Sequence, residues 1–172
     1  SVTKAFDWSA DSKKLAYITF DESKVKEYNL QKWNHGEKYP EDYRYKYPKA
    51  GEDNAKVKLT IFHLDGAKSI PVLLGDINDF YIARINWTKD ANVLSYRVLN
   101  RLQNKLDIFH ADAASGSSNL ILRDESDTYV DISDDLVYLN DGKTFITSSE
   151  KDGYNHLYQY TIEGKFVKQI TS

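Results

Sequence analysis

The residues of this chain whose types could do chemistry are its four histidines, a Ser-Ser-Glu cluster and three recurring aspartates. His63 and His110 each follow an Ile-Phe pair on a strand-like run, where an imidazole could relay a proton or hold a metal. They occupy the same slot of two repeats, however, which is what a structural position looks like. His156 sits after a turn and before an apolar run and reads as a local hydrogen-bond partner there, while His35 reads as solvated. Asp11, Asp90 and Asp141 could act as general acids, yet each lies in a polar turn, where Asp accepts from nearby backbone N–H groups. Ser148, Ser149 and Glu150 offer a nucleophile and an acid, but without a partner His in a defined geometry they read as a strand end and a turn. The chain has no Gly-x-Ser-x-Gly nucleophile elbow. It also has no Cys, so there is neither a disulfide nor a thiolate metal site, and the redox compartment is left open. No catalytic set is complete and no metal site is legible.

Two further signals concern partners. Asn86-Trp87-Thr88 is a glycosylation sequon, but Asn86 fills the slot of Asp7 beside a Trp that the pattern places in the interior. Tyr43, Tyr45 and Tyr47 alternate with Arg44 and Lys46, and interleaved rings and cations can stack bases in a single-stranded groove. The neighbouring Glu37, Glu41 and Asp42 cancel the charge such a groove needs, so packing against protein is the better reading. In an extended chain the three rings share one face.

The elements that must position these residues announce themselves by repetition. The stretch from Asp7 to Phe20 has an aromatic residue, a polar turn holding an Asp, and an apolar strand-like run. It returns from Asn86 to Leu99 and more faintly from Val137 to Thr147, which predicts a hairpin each time. A second strand-turn-strand pattern follows each hairpin: Leu59 to Gly66 then Ser69 to Leu74, Leu106 to Asp112 then Asn119 to Arg123, and Leu157 to Gly164 then Phe166 to Thr171. Each repeat therefore has four strands, with Trp8, Trp87 and Tyr138 in equivalent places and Phe62, Phe109 and Tyr160 likewise. Val2 to Trp8 is expected as the first strand. The first repeat is longer than the second by roughly 28 residues, and repeats of about 40–50 residues with four strands each mark propeller blades. The predicted fold is all-β: part of a β-propeller, three consecutive four-stranded antiparallel blades at 1–78, 79–126 and 127–172, with an extended arm inserted in the first over about 21–54. That arm holds Tyr28, Trp33, Tyr39, Tyr43, Tyr45 and Tyr47, too aromatic for a floppy loop.

Composition excludes several alternatives. The 172 residues are 41% hydrophobic and 13% aromatic, too rich for a disordered chain. No apolar run approaches the length of a membrane span. Basic and aromatic residues form no electrostatic footprint for nucleic acid, since 23 basic and 26 acidic residues are well mixed at a formal charge of −3. A chain that starts on a repeat at Ser1 with no initiator Met is expected to be part of a longer protein.

Tyr47-Pro48-Lys49-Ala50-Gly51 followed by Asn54 and Val57, then Asn100-Arg101-Leu102-Gln103-Asn104 before Asp107-Ile108, and Ser149-Glu150-Lys151-Asp152-Gly153-Tyr154-Asn155-His156-Leu157-Tyr158 resemble, in order, the propeller domain of the dipeptidyl peptidase IV family. The resemblance spans nearly the whole chain; Ala55 departs from it, where the family usually has Pro. It implies a serine exopeptidase that releases N-terminal dipeptides, often after Pro or Ala, with an eight-bladed propeller capping an α/β-hydrolase domain and no cofactor. The catalytic Ser, Asp and His belong to that hydrolase domain, and the Glu pair that binds the substrate amino terminus precedes the Trp-Ser-x-Asp hairpin, so neither is expected here. The resemblance further implies peptide substrates, a C-terminal hydrolase domain and a homodimer as partners of the parent protein, in the periplasm, the cell envelope or outside the cell. It places a cavity lining on the stretch 127–132, where Tyr129 and Asp131 are the candidates and Tyr129 as a core ring of its blade is the rival. It places a dimer contact on the arm, with Tyr43, Tyr45 and Tyr47 as candidates and an arm folded back on its own blade as the rival. A second function class, a propeller that serves only as a protein-interaction platform without peptidase activity, shares the same sequence features.

Overall fold

The computed structural model describes residues 4–75 and 77–172. Within them the chain forms strands β1 (Phe6–Trp8), β2 (Lys14–Asp21), β3 (Glu27–Lys32), β4 (Glu41–Lys46), β5 (Lys56–His63), β6 (Lys68–Pro71), β7 (Phe80–Trp87), β8 (Val93–Asn100), β9 (Lys105–Asp112), β10 (Ser118–Glu125), β11 (Val137–Tyr138), β12 (Thr144–Ser149), β13 (His156–Thr161) and β14 (Phe166–Gln169). One turn of 3-10 helix, Asp65–Ala67, is the only helical element among the described residues. Three sheets of four strands follow one another, ordered β1-β2-β5-β6, β7-β8-β9-β10 and β11-β12-β13-β14, and β3 and β4 pair as a separate hairpin. The fold is all-β, as the repeats predict. The first strand is shorter than expected: it begins at Phe6, and the expectation for Val2 and Thr3 falls outside the described residues. Strand β6 likewise ends at Pro71 rather than reaching Leu74, although Val72 N still donates to Leu59 O at 2.9 Å.

The hairpin between the first two strands is built the same way in each sheet. Trp8 faces Leu15, Trp87 faces Leu94 and Tyr138 faces Phe145 across the ladder. The residue after each aromatic closes the turn: Ser9 N donates to Lys14 O at 2.9 Å, Thr88 N to Val93 O at 3.2 Å and Leu139 N to Thr144 O at 3.0 Å. Inside each turn an Asp carboxylate accepts from the backbone two residues on, Asp11 from Lys13 N at 3.1 Å, Asp90 from Asn92 N at 2.8 Å and Asp141 from Lys143 N at 2.8 Å. The register of this first hairpin is equivalent in all three sheets. The third strands depart from the expectation: Phe109 faces Tyr96, two positions beyond Leu94, whereas Tyr160 faces Phe145 itself, so Tyr158 rather than Tyr160 matches Phe109. Exposure differs as well. Trp87 and Tyr138 are 9% and 7% exposed, whereas Trp8 is 47% exposed.

Packing divides the chain into two units, one formed by the stretch up to Thr19 with Lys58–Ser172, the other by Phe20–Val57. In the larger unit successive sheets are tied by repeated devices. Trp87 donates its backbone N–H to the Asp7 carboxylate at 3.1 Å and its indole N–H to the Asp7 carbonyl at 3.0 Å. His63 donates Nε2–H to the Ala113 carbonyl at 2.7 Å. One sheet further on, His110 Nε2 lies 2.7 Å from the Tyr138 hydroxyl, which donates to Ser95 Oγ at 2.7 Å. The two histidines do not share the register position that the sequence suggested: Leu64 N donates to Lys13 O as Ala113 N does to Asn92 O, so His63 matches Asp112, while His110 lies two residues earlier, facing Ser95. Each nonetheless reaches from the third strand of its sheet to the next sheet. Ile108, Leu136, Tyr138, Phe145, Tyr158 and Tyr160 fill the space between the second and third sheets.

Glycine is required where sheets approach closely. In the turns before β10 and β14, a Cβ on Gly116 would stand 2.2 Å from the Pro71 carbonyl oxygen, and one on Gly164 would stand 1.9 Å from that of Ile121. Both residues have positive φ, +74° and +83°. Each seats the turn of one sheet on the outermost strand of the sheet before it.

The smaller unit is a hairpin. Strands β3 and β4 pair over six residues each, with Tyr28 facing Tyr45 and Leu30 facing Tyr43. Alternation puts Tyr43, Tyr45 and Tyr47 on one face, and their rings touch in sequence at 5.5 and 5.7 Å between centroids, with Tyr28 packed on Tyr47 at 6.0 Å. Lys26 and Glu52 close the base at 2.7 Å.

Candidate functional site: a cavity between the second and third sheets

A cavity of about 880 Å³ lies between the second and third sheets. Its lining includes Asn100, Asn104, Arg97, Tyr129, Asp131 and Ser148. The wall that carries Tyr129 and Asp131 is the connector from β10 to β11, which has no regular structure. Its backbone needs are met by neighbours instead. At its start Ser126 N donates to Asn104 O at 3.0 Å and Val130 N to Gln103 O at 2.9 Å. Those two carbonyls belong to the β8–β9 hairpin tip, which Asn100 makes rigid: its Oδ1 accepts from Asn104 N and Lys105 N, both at 3.1 Å, and its Nδ2 donates to Asn104 Oδ1 at 2.8 Å. Gln103 sits at φ +58° to complete the turn. Val130 drives the connector into a small core with Leu99 and Leu106, backed by Tyr81 and Ile132.

The far end of the connector meets two arginines. Arg84 Nε donates to the Asp134 carboxylate at 2.6 Å. Arg97 Nη1 donates to the Ser133 carbonyl at 2.6 Å, and its Nη2 stands 3.9 Å from the Asp134 oxygen that Arg84 already holds. Ser148 Oγ donates to Ser133 Oγ at 2.7 Å. Burial lowers the Arg97 pKa to about 10, with the Arg84 charge pushing the same way and Asp134 opposing. Arg84, in turn, lowers the Asp134 carboxyl.

Tyr129 is 52% exposed and lines the cavity, so it is not a core ring of its blade. Asp131 also lines the cavity and is exposed, its Oδ1 accepting from the Ile132 backbone at 3.0 Å. Ser148 and Ser149 are part of the lining, but Ser149 Oγ only accepts from Lys151 N at 3.2 Å, as expected of a strand end entering a turn. His156 pairs with Thr171 Oγ1 at 3.2 Å, a contact across to the chain after β14 rather than within its own turn. His35 is exposed. In the sequon Asn86 is half-buried beside buried Trp87 and Thr88, and the Thr88 hydroxyl donates to the Asp90 carbonyl at 3.1 Å. Asp11 is held at about 2 by the Ser9 hydroxyl and the Lys13 N–H, and Asp141 is lowered by the Lys143 and Thr144 N–H groups and the Thr144 hydroxyl. A carboxyl kept ionised in this way has no proton to donate near neutrality. Among the described residues no group of three or more His, Cys, Asp or Glu side chains is placed to hold a metal ion. No helix among them is long and apolar enough to cross a membrane.

The residues that sequence reasoning passed over are Arg97, Arg84 and Ser133. Arg97 stands in the apolar run of β8 and announces itself only as a charge at a position where its neighbours Tyr96 and Val98 are buried.

Three successive four-stranded sheets, tied face to face and enclosing a cavity along a connector, are the architecture of a propeller segment. The chain belongs to the family described as the dipeptidyl peptidase IV (DPP IV) N-terminal region, whose model matches residues 1–172. It is similar to the probable dipeptidyl peptidase 4 of Trichophyton verrucosum, 28% identical over 168 residues that cover 91% of this chain and 22% of that protein. Among solved structures it resembles dipeptidyl peptidase 4 of Porphyromonas gingivalis, at 41% identity and a TM-score of 0.87 over 99% of this chain and 24% of that one. A putative dipeptidyl aminopeptidase IV from Bacteroides ovatus matches at 28% identity and a TM-score of 0.83, over 98% of this chain and 26% of that one. The chain therefore spans about a quarter of the length of these relatives.

Proposed function

We propose that this chain is the non-catalytic propeller segment of a serine exopeptidase that releases dipeptides from peptide N-termini, and that it serves substrate access and recognition and a homodimer contact. The observation that carries the reading is the cavity: Tyr129, 52% exposed, and Asp131, also exposed, on an irregular connector, line a space of about 880 Å³ in a family of dipeptidyl peptidases. A space of that size accommodates a few residues of peptide. The reacting groups belong to a hydrolase domain of the parent protein, and no cofactor enters the chemistry. The exposed tyrosine face of the β3–β4 hairpin supports the dimer contact, since Tyr and Trp are enriched at interfaces.

The test is a comparison of the full-length protein with the isolated chain on a Gly-Pro anilide. The full-length protein releases Gly-Pro and the isolated chain does not, because binding surface alone supplies no nucleophile. A full-length protein without a nucleophile elbow and without dipeptide release overturns the reading in favour of an interaction platform. Within an active parent, Tyr129→Ala raises KM; unchanged kinetics in a normally folded variant removes Tyr129 from the recognition surface.

A further inference from the structure

Arg97 is a costly residue for its place. Its side chain is 4% exposed, it lies between buried Tyr96 and Val98 on β8, and its Nε has no hydrogen-bond partner. A buried guanidinium left partly unsatisfied contributes little net stability, and an apolar side chain of similar volume commonly does as well or better at such a site. What an apolar side chain cannot do is hold by hydrogen bonds the connector that leads into the third sheet. Arg97 does so through the Nη1 bond to the Ser133 carbonyl, 36 residues downstream. Arg84, on β7, holds the next residue through Asp134. The connector is thus strung between two anchors. One is the Gln103 and Asn104 carbonyls of the hairpin tip, the other the Arg97–Ser133 and Arg84–Asp134 bonds. Tyr129 and Asp131 lie on the span governed by these anchors, and Asp134, 72% exposed at its side chain, is the weaker hold of the second because water competes for it.

We propose that Arg97 is a positioning residue: it fixes the connector so that Tyr129 and Asp131 present a preformed wall to the peptide, and it touches no substrate itself. The inference rests on the cavity being the peptide-facing surface proposed above. Loosening the anchor leaves the reacting groups of the parent untouched and lets the wall sample positions in which it does not meet the substrate, which weakens binding in ground and transition states alike.

The experiment is a kinetic double-mutant cycle in the full-length protein with Arg97→Gln, Arg97→Lys and Tyr129→Ala. Arg97→Gln is expected to raise KM roughly fivefold to tenfold with kcat changed by less than about twofold. Arg97→Lys keeps the charge but not the planar fork and is expected to raise KM about threefold. The deciding result is the combination: in the Tyr129→Ala background, replacing Arg97 raises KM by clearly less than it does in the unaltered protein, because the Tyr129 part of the wall it positions is already gone. A folded Arg97→Gln with the KM of the unaltered protein overturns the inference. So does an effect that simply adds to that of Tyr129→Ala, or one that appears in kcat in proportion to lost stability. If Arg97→Gln does not fold, Arg97→Lys decides by the same criteria. Failure of the underlying reading looks different, since there Tyr129→Ala itself leaves KM unchanged, and the positioning role falls with it.

Discussion

His110 is buried, 8% exposed, and its pKa falls to about 4 because burial disfavours the imidazolium. Tyr138, whose hydroxyl it meets, is pushed up to about 12 by its own burial. The Tyr138 hydroxyl gives its proton to Ser95, so His110 must donate from Nε2, and the neutral tautomer with that proton is the one that fits. The sign of the linkage follows. Between the unfolded value of 6.5 and the folded value of about 4 the unfolded chain binds the extra proton, so stability rises with pH through that window and is lost as pH falls. From pH 7 to pH 5 the expected loss from this group is about 2 kcal/mol. Urea unfolding of the chain at the two pH values measures it, and His110→Gln should remove most of the difference while lowering stability at pH 7. A variant that keeps the full pH dependence shows that another group carries it. The sequence placed this residue on a strand of the second repeat, but the slot that spacing assigns it with His63 is two residues out of register, and its partner was not legible. Tyr138 belongs to a different repeat, and nothing in local spacing says that two side chains 28 positions apart will meet.

Hairpins were legible because their determinants are local. Aromatic, Asp and apolar run recur at fixed offsets, and the register that results is the same in all three sheets. The cavity wall was legible only as a stretch that resembled a family's cavity lining. It has no periodicity, and its conformation is set by carbonyls of residues 103 and 104 and by Arg97, all on other elements. The seating of one sheet on the next was not legible either, although its price is visible in Gly116 and Gly164. Gly164→Ala must force the β13–β14 turn away from Ile121, because the new Cβ would stand at 1.9 Å from a backbone oxygen that has no freedom to swing aside. Gly142, at φ +65° with open space around it, pays only the left-handed backbone term, about 1–2 kcal/mol for Ala. The expected order is therefore Gly164→Ala well beyond Gly142→Ala, by more than about 2 kcal/mol in the midpoint-derived stability. Denaturant melts of the two variants test this, and equal losses would mean that the close approach is not a constraint in solution.

Each of the two units answers to a different source of stability. The sheets bury Ile82, Leu94, Tyr96, Phe145 and Tyr158, whereas the β3–β4 hairpin leaves Trp33 at 66%, Tyr39 at 81%, Tyr43 at 57% and Tyr47 at 52% exposure in this chain. An isolated two-stranded hairpin is marginal in water, and the tyrosine ladder, Lys49 over the Tyr28 ring at 5.0 Å and the Lys26–Glu52 pair supply what local support it has. So much exposed aromatic surface on one element is costly for a solitary chain and favourable in a contact. The proposed homodimer gives it that use. Replacing Tyr43 and Tyr45 by Ser removes two rings of the ladder and changes no residue of the four-stranded sheets. In the full-length protein the expected result is a solution mass that falls from dimer to monomer, with the unfolding midpoint of the sheets unchanged apart from the share that dimerisation contributes at the protein concentration used. A dimer of the same mass and stability in the double variant would assign the contact to other surfaces and leave the tyrosine ladder as support for the hairpin alone.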